Sequence, residues 1–306
     1  MKHNGRAVAG LVLATILWGS TFSFTKALVA NVPPMYLLGY RFLLTSLLVF
    51  LIFPRVVLSE FRRGIRSKHL LTFSLVNIFA IGLQTYGIQF TTASNAGFIT
   101  AFSVVLVPIL KRLHFATAIS RQIWVAGILA LGGLYAVSFG LALPASFNRG
   151  DAFQFLCAIF YGYYIVILET LAKEFSGPTI LFVSFGLTAM ACLVLGVCAE
   201  THPSMSVMLA APVAIPFLAL VVFGTVIAYL LMTWGQKHTS AEVAALVYAL
   251  EPLFAFLIAW AFLHETLSPW QLAGGGMVMI AMIIGVCSHC GPGNVCPPGN
   301  DGGNHR

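Results

Sequence analysis

The stretch Gly87-Ile88-Gln89-Phe90-Thr91-Thr92-Ala93 returns 148 positions later as Gly235-Gln236-Lys237-His238-Thr239-Ser240-Ala241, with the glycine, the hydroxyl residues and the alanine in register. The same offset pairs Ala96 with Ala244, Thr100 with Tyr248, Ala101 with Ala249, Ser103 with Glu251 and Ser120 with Ser268. Toward the start of each half the offset shortens to 143, matching Trp18-Gly19 with Tyr161-Gly162, Lys26 with Glu169 and Leu28 with Leu171. Two strings of apolar helices always align somewhat, but the kept order of these matches points to an internal repeat. If each copy holds an odd number of membrane spans, the second must enter the bilayer upside down. That architecture is common among secondary transporters.

The composition demands a bilayer. Of 306 residues, 59% are hydrophobic and 8% charged, and the mean hydropathy is +0.94, too apolar for a soluble domain of this length. Apolar runs long enough to cross the hydrocarbon as helices lie near Ala7–Val29, Met35–Phe53, Leu70–Gln89, Ala93–Leu113, Ile123–Leu141, Ala152–Leu171, Thr179–Ala199, Val213–Trp234, Ala241–Leu263 and Trp270–Cys287. Breakers separate them: Pro33-Pro34, Pro54, Gly177-Pro178, Pro203, Pro212 and Pro269. The expected fold is therefore an all-α membrane protein of ten transmembrane helices in two inverted five-helix repeats, residues 1–148 and 149–287. A disordered cytoplasmic tail, 288–306, follows.

The formal charge of +7 is explained by topology rather than by an acidic partner. With the N-terminus cytoplasmic, that side holds Lys2, Arg6, Arg55, Arg62, Arg63, Arg66, Lys68, Lys111, Arg112, Arg121, Lys173, Lys237 and Arg306, whereas the far side holds only Arg149. This is a strong positive-inside bias. It puts both termini in the cytoplasm and argues against nucleic-acid binding. The first apolar run follows a basic start but is longer than a signal-peptide core, and its Trp18-Gly19 is echoed mid-chain, so it is read as the first helix.

Trp18-Gly19-Ser20-Thr21-Phe22, Tyr40-Arg41-Phe42, Thr92-Ala93-Ser94-Asn95-Ala96-Gly97 and Leu250-Glu251-Pro252 together resemble EamA-type permeases of the drug/metabolite transporter superfamily, over about residues 7–287. The resemblance implies a cavity lined mostly by spans 1, 3, 4, 6, 8 and 9, a plasma-membrane location (a bacterial inner membrane), and export of small metabolites such as amino acids. One departure is Ala116-Thr117-Ala118, which replaces the acidic residue common after the fourth helix; the second half keeps Glu265.

An ionisable side chain inside the bilayer costs a few kcal/mol, so it persists where it is paired, hydrated or lining a pathway. Glu251 lies about 15 Å along its helix from Ala241 at about 1.5 Å per residue, and Pro252 beside it removes a backbone hydrogen bond. A substrate or proton contact and a structural ion pair are both open for it. Arg41 reads as its structural charge partner. Lys26 and Glu169, near helix ends, are gate candidates. Helical spacing places Trp18, Phe22, Thr100, Ser103, Tyr161 and Tyr248 on polar or aromatic stripes, and with Gln84, Trp234 and Glu251 they form the expected substrate pathway. Gly127, Gly132 and Gly133 and the run Gly274-Gly275-Gly276 would seat helices closely or form a dimer contact, leaving monomer and homodimer both open.

Cys157, Cys192 and Cys198 read as small apolar residues. Cys287, His289, Cys290 and Cys296 lack the second ligand pair of a zinc site, so no metal and no cofactor are expected. No GxxxxGK[ST] run is present, so energy would come from a proton or ion gradient or from an accessory protein. Three functions compete: an exporter of small metabolites, a sugar-nucleotide or lipid-precursor carrier with a more basic cavity, and a membrane enzyme. The enzyme would have to rely on Glu200 with His202 or His264 with Glu265. The first, with no catalytic residue and with only a small-molecule substrate and the lipid bilayer as partners, is the expectation.

Overall fold

The computed structural model describes residues 2–116, 118–140, 148–263 and 268–289. His264, Glu265, Cys290, Cys296 and the rest of the tail lie outside them. The described chain is helical: α1 (Lys2–Gly19), α2 (Thr21–Val29), α3 (Pro34–Ile52), α4 (Pro54–Gly64), α5 (Lys68–Gly87), α6 (Ala93–Ala101), α7 (Ser103–Phe115), α8 (Arg121–Phe139), α9 (Arg149–Glu174), α10 (Gly177–Ala199), α11 (Met205–Leu209), α12 (Ala211–Val221), α13 (Ala228–Lys237), α14 (Ala241–Tyr248), α15 (Glu251–Leu263) and α16 (Pro269–His289). A 3₁₀ turn, Ile88–Phe90, closes α5, and a π-helical turn, Val222–Ile227, joins α12 to α13. Among the described residues nine continuous segments are long and apolar enough to cross a bilayer. Where a tenth was expected, α14 and α15 are separated by a turn at Ala249-Leu250. Pro252 has no N–H to give the Tyr248 carbonyl, and its ring crowds that turn.

The helix starts repeat as the sequence does. Thr92 and Ser240, equivalent positions, each cap a helix, accepting from Asn95 N–H at 3.1 Å and from Val243 N–H at 3.4 Å. Ser120 and Ser268 do the same for α8 and α16. Each cap satisfies one of the N–H groups that a helix leaves unpaired at its start.

Packing keeps the same symmetry. The most extensive contacts are α8 on α16, α3 on α10, α5 on α9 and α1 on α13. Exchanging the two halves turns α5–α9 into α13–α1 and returns the other two pairs to themselves. The glycines that open the repeated stretch show why they are needed. A Cβ on Gly87 would stand 2.7 Å from Phe153 Cβ on α9, and one on Gly235 would stand 2.5 Å from Leu11 Cδ2 on α1. In the α8–α16 crossing, Gly133 and Gly274 lie backbone to backbone, a Cβ on either coming within 2.6 Å of the other's carbonyl oxygen. These two glycines therefore serve packing within the chain.

Candidate functional site

Helix breaks shape the centre of the molecule. The α6–α7 break at Phe102 and the α14–α15 break at Ala249-Leu250 occupy equivalent places in the two halves. Only the second has a proline to explain it. The π turn loosens the backbone further, leaving the Gly224 carbonyl to accept from Trp18 Nε1 at 3.0 Å and letting the Thr225 hydroxyl donate to the Leu220 carbonyl at 2.8 Å. Such bulges recur at functional sites because they aim side chains and carbonyls that a regular helix would hide.

Between the halves lies a cavity of about 70 Å³, room for a few waters. Its walls come as repeat-related pairs: Trp18 with Tyr161, Phe22 with Ile165, Ile81 with Tyr229, Gln84 with Met232, Thr100 with Tyr248 and Ser103 with Glu251. The Trp18 ring meets Tyr229 and Tyr248 edge to face at 5.1 and 5.5 Å between centroids. Tyr161 and Tyr229 bring their hydroxyls within 3.4 Å. Tyr248 donates to Gln236 Oε1 at 3.4 Å, and Thr100 to Gln154 Oε1 at 3.1 Å. Gln154 Nε2 in turn donates to the Gln84 carbonyl at 2.9 Å, so the aromatic walls are held by polar groups behind them.

The charges break the symmetry. Arg41, buried on α3, and Glu251, at the start of α15, both line the cavity. Arg41 Nε donates to Thr225 Oγ1 at 2.7 Å, and its guanidinium lies 5.3 Å from the centre of the Phe42 ring. The expected Arg41–Glu251 pair is not formed: the ion pairs of the described residues involve His69, Lys111 and Lys173 with Glu169, Glu174 and Glu242. The Arg41 Nε hydrogen bond goes instead to the Thr225 hydroxyl, which lies in the π turn. Each charge faces the cavity independently, and in the first half the position of Glu251 is filled by neutral Ser103.

Of the expected pathway residues, Trp18, Phe22, Gln84, Thr100, Ser103, Tyr161, Tyr248 and Glu251 line the cavity. Trp234 does not. It is 44% exposed and covers Gly10 on the far side of α13. Pro252 is buried beside the cavity without lining it. Arg41 brings in the second span, beyond the set implied by the resemblance. Tyr229 and Met232 were missed, although the 148-residue offset applied to Ile81 and Gln84 leads to them.

Lys26 and Glu169 do not line the cavity. Lys26 Nζ donates to the carbonyls of Ile88, Gln89 and Thr91 at 2.6, 3.2 and 2.8 Å, a cation on the carbonyl end of a helix. Glu169 Oε2 accepts from Ala241 N–H at 2.9 Å and lies 2.8 Å from Lys111 Nζ, which also holds Glu242 at 2.8 Å. Glu200 and His202 are engaged structurally. Glu200 accepts from the N–H groups of Met35 and Tyr36 at the start of α3, and His202 meets the Tyr40 hydroxyl at 3.1 Å.

Comparison with known proteins agrees with this geometry. The chain is 30% identical over 275 residues to an uncharacterized transporter of Archaeoglobus fulgidus, covering 90% of this chain and 84% of that one. It is 23% identical to an S-adenosylmethionine/S-adenosylhomocysteine transporter of Chlamydia muridarum, over 90% of this chain and 89% of the relative. One solved crystal structure superposes with a TM-score of 0.71 at 15% identity, covering 91% of this chain and 95% of the other, which extends the likeness of fold. The model of the EamA-like transporter family matches twice, at residues 5–139 and 148–286. The chain belongs to the EamA-like transporter family.

Proposed function

We propose that this protein is a secondary transporter that exports small zwitterionic metabolites of the amino-acid class by alternating access between residues 1–148 and 149–287, the second half inverted relative to the first. The observation that carries the reading is a carboxylate and a guanidinium, Glu251 and Arg41, facing one aromatic-walled cavity without pairing to each other. Charges at this depth are too costly to leave unneutralised. A substrate ammonium at Glu251 and a substrate carboxylate at Arg41 would neutralise both, and an ammonium also gains from the faces of Trp18, Tyr229 and Tyr248. The relative's named compounds, S-adenosylmethionine and S-adenosylhomocysteine, are themselves amino acids. Among the described residues Arg41 is the one cation lining the cavity, a poor match for sugar nucleotides or lipid precursors with several phosphates.

The topology that goes with this reading has both termini in the cytoplasm of a plasma membrane, with α14 and α15 together making a tenth crossing. Lys26 then closes the outer end of the pathway and Glu169 the inner end.

The test is counterflow in proteoliposomes with a panel of labelled amino acids and analogues. Glu251→Gln keeps shape and removes the charge, so transport of a zwitterion should fall by about tenfold or more, the worth of one charge-assisted hydrogen bond, at unchanged thermal stability. Wild-type transport by the variant at every pH would remove Glu251 from the mechanism. Loss of folded protein would make its role structural.

A further inference from the structure

Away from the cavity, α4 leaves the third helix at Pro54 and lies outside the membrane-crossing segments. One side of it is apolar: Val57 is buried, Phe61 packs against the core, and Leu58 is exposed. Leu51, Ile52, Ile65 and Leu71 continue this exposed apolar belt around it. The other side is basic. Arg62, Arg63 and Arg66, with Ser67, face Lys173, Glu174 and Phe175 from the end of α9 across an open groove of about 850 Å³.

The groove is built, not draped. Glu60 accepts from Ser176 N–H at 3.0 Å and from Ser176 Oγ at 2.8 Å, fastening α4 to the α9–α10 corner. Partial burial pushes the Glu60 carboxyl upward, but hydrogen bonds from Ser176 and Thr179 and the nearby Arg63 guanidinium outweigh it and hold the group below the ordinary carboxylate range. Arg63 donates to the Glu174 carbonyl at 2.5 Å and stacks 4.5 Å above the Phe175 ring. Glu174, the one carboxylate among the described lining residues of the groove, is engaged by His69 at 3.4 Å. Arg62 and Arg66 make no side-chain hydrogen bond or ion pair among the described residues. Two unpaired guanidiniums thus share a fixed concave wall with a serine hydroxyl, flanked by exposed leucines and isoleucines.

We propose that this groove binds the phosphate of an anionic phospholipid, with Arg62 and Arg66 on the phosphate oxygens, Lys173 and Ser67 completing the shell, and the acyl chains on the adjoining apolar belt. Guanidinium forks match phosphate oxygens in geometry and charge, and basic pockets at the cytoplasmic ends of spans select anionic headgroups. The belt is what favours a lipid over a soluble phosphate. The assignment to the cytoplasmic leaflet rests on the topology proposed above; the binding does not rest on transport at all.

Native mass spectrometry of the purified full chain with added phosphatidylglycerol or phosphatidylcholine tests it. Wild-type protein should retain phosphatidylglycerol preferentially, and R62Q/R66Q should lower that retention by roughly tenfold, with inorganic phosphate and glycerol phosphate unable to displace the lipid. The double variant R112Q/R121Q removes the same charge from another basic loop and should leave retention unchanged. Equal retention in wild type and R62Q/R66Q would overturn the proposal. So would equal loss in R112Q/R121Q, which would reduce the effect to bulk charge, or displacement by the acyl-free phosphates, which would make the ligand a soluble anion. Because the readout is binding, it stands or falls separately from any failure of transport.

Discussion

The Lys26 ammonium lies 2.8 Å from the carbonyl oxygen of Thr91, immediately before the Thr92 cap of α6. Glu169, the repeat equivalent of Lys26, lies 2.9 Å from the backbone nitrogen of Ala241, immediately after the Ser240 cap of α14. The same elbow is therefore gripped in both halves with the sign of the charge exchanged. A cation suits carbonyls at the end of one helix, and an anion suits N–H groups at the start of another. Both contacts are formed in this structure, whose central cavity is about 70 Å³.

If these grips are the outer and inner gates, loosening one should bias the protein toward opening at that end. In a cysteine-free background carrying Thr100→Cys, Lys26→Met should speed labelling of that cysteine by an impermeant thiol reagent from the outside by about tenfold, and Glu169→Leu from the inside by a similar factor. Tenfold corresponds to about 1.4 kcal/mol, no more than the worth of one charged hydrogen bond. Faster labelling from the same side in both variants, or from neither, would remove the two residues from gating.

The glycines of the repeated stretch should tolerate no side chain. Gly87→Ala and Gly235→Ala force a methyl into contacts of 2.7 and 2.5 Å, and overpacking of this kind costs typically 1–3 kcal/mol. Gly82, on α5, has nothing within 4 Å of its would-be Cβ, so Gly82→Ala should be neutral or stabilising by up to about 1 kcal/mol through helix propensity. Thermal unfolding in detergent separates the three; equal behaviour would refute the packing role.

The proposed inversion of the two halves predicts on which sides of the membrane their loops lie. Reporter fusions after Gly64 and after Asn148 should report opposite sides of the membrane, the first cytoplasmic, because Arg62, Arg63 and Arg66 sit beside the former. Activity of both reporters on one side would overturn the inverted arrangement.

Much of the fold was legible because it depends on local chemistry. Helices long enough to span and glycines at matching positions follow from hydrogen-bond satisfaction and side-chain size along the chain, and the structure shows both, whereas Thr92, Ser240, Ser120 and Ser268, read only as repeat matches, are helix caps in the structure. Thr100, Ser103 and Tyr161 also line the cavity as their spacing suggested, the one-residue break at Phe102 leaving Thr100 and Ser103 on the same wall. Reading failed where residue type was followed instead of the repeat. Tyr229 and Met232 face the cavity at the positions equivalent to Ile81 and Gln84, while Trp234, chosen by residue type, is 44% exposed and does not line it. The partner of Arg41, Thr225 in the π turn at Val222–Ile227, is 184 positions distant. The clamp of Lys111 between Glu169 and Glu242 was equally hidden. A sequence records which groups must be satisfied, but partners on different helices are fixed by how those helices cross, and tertiary packing alone decides that.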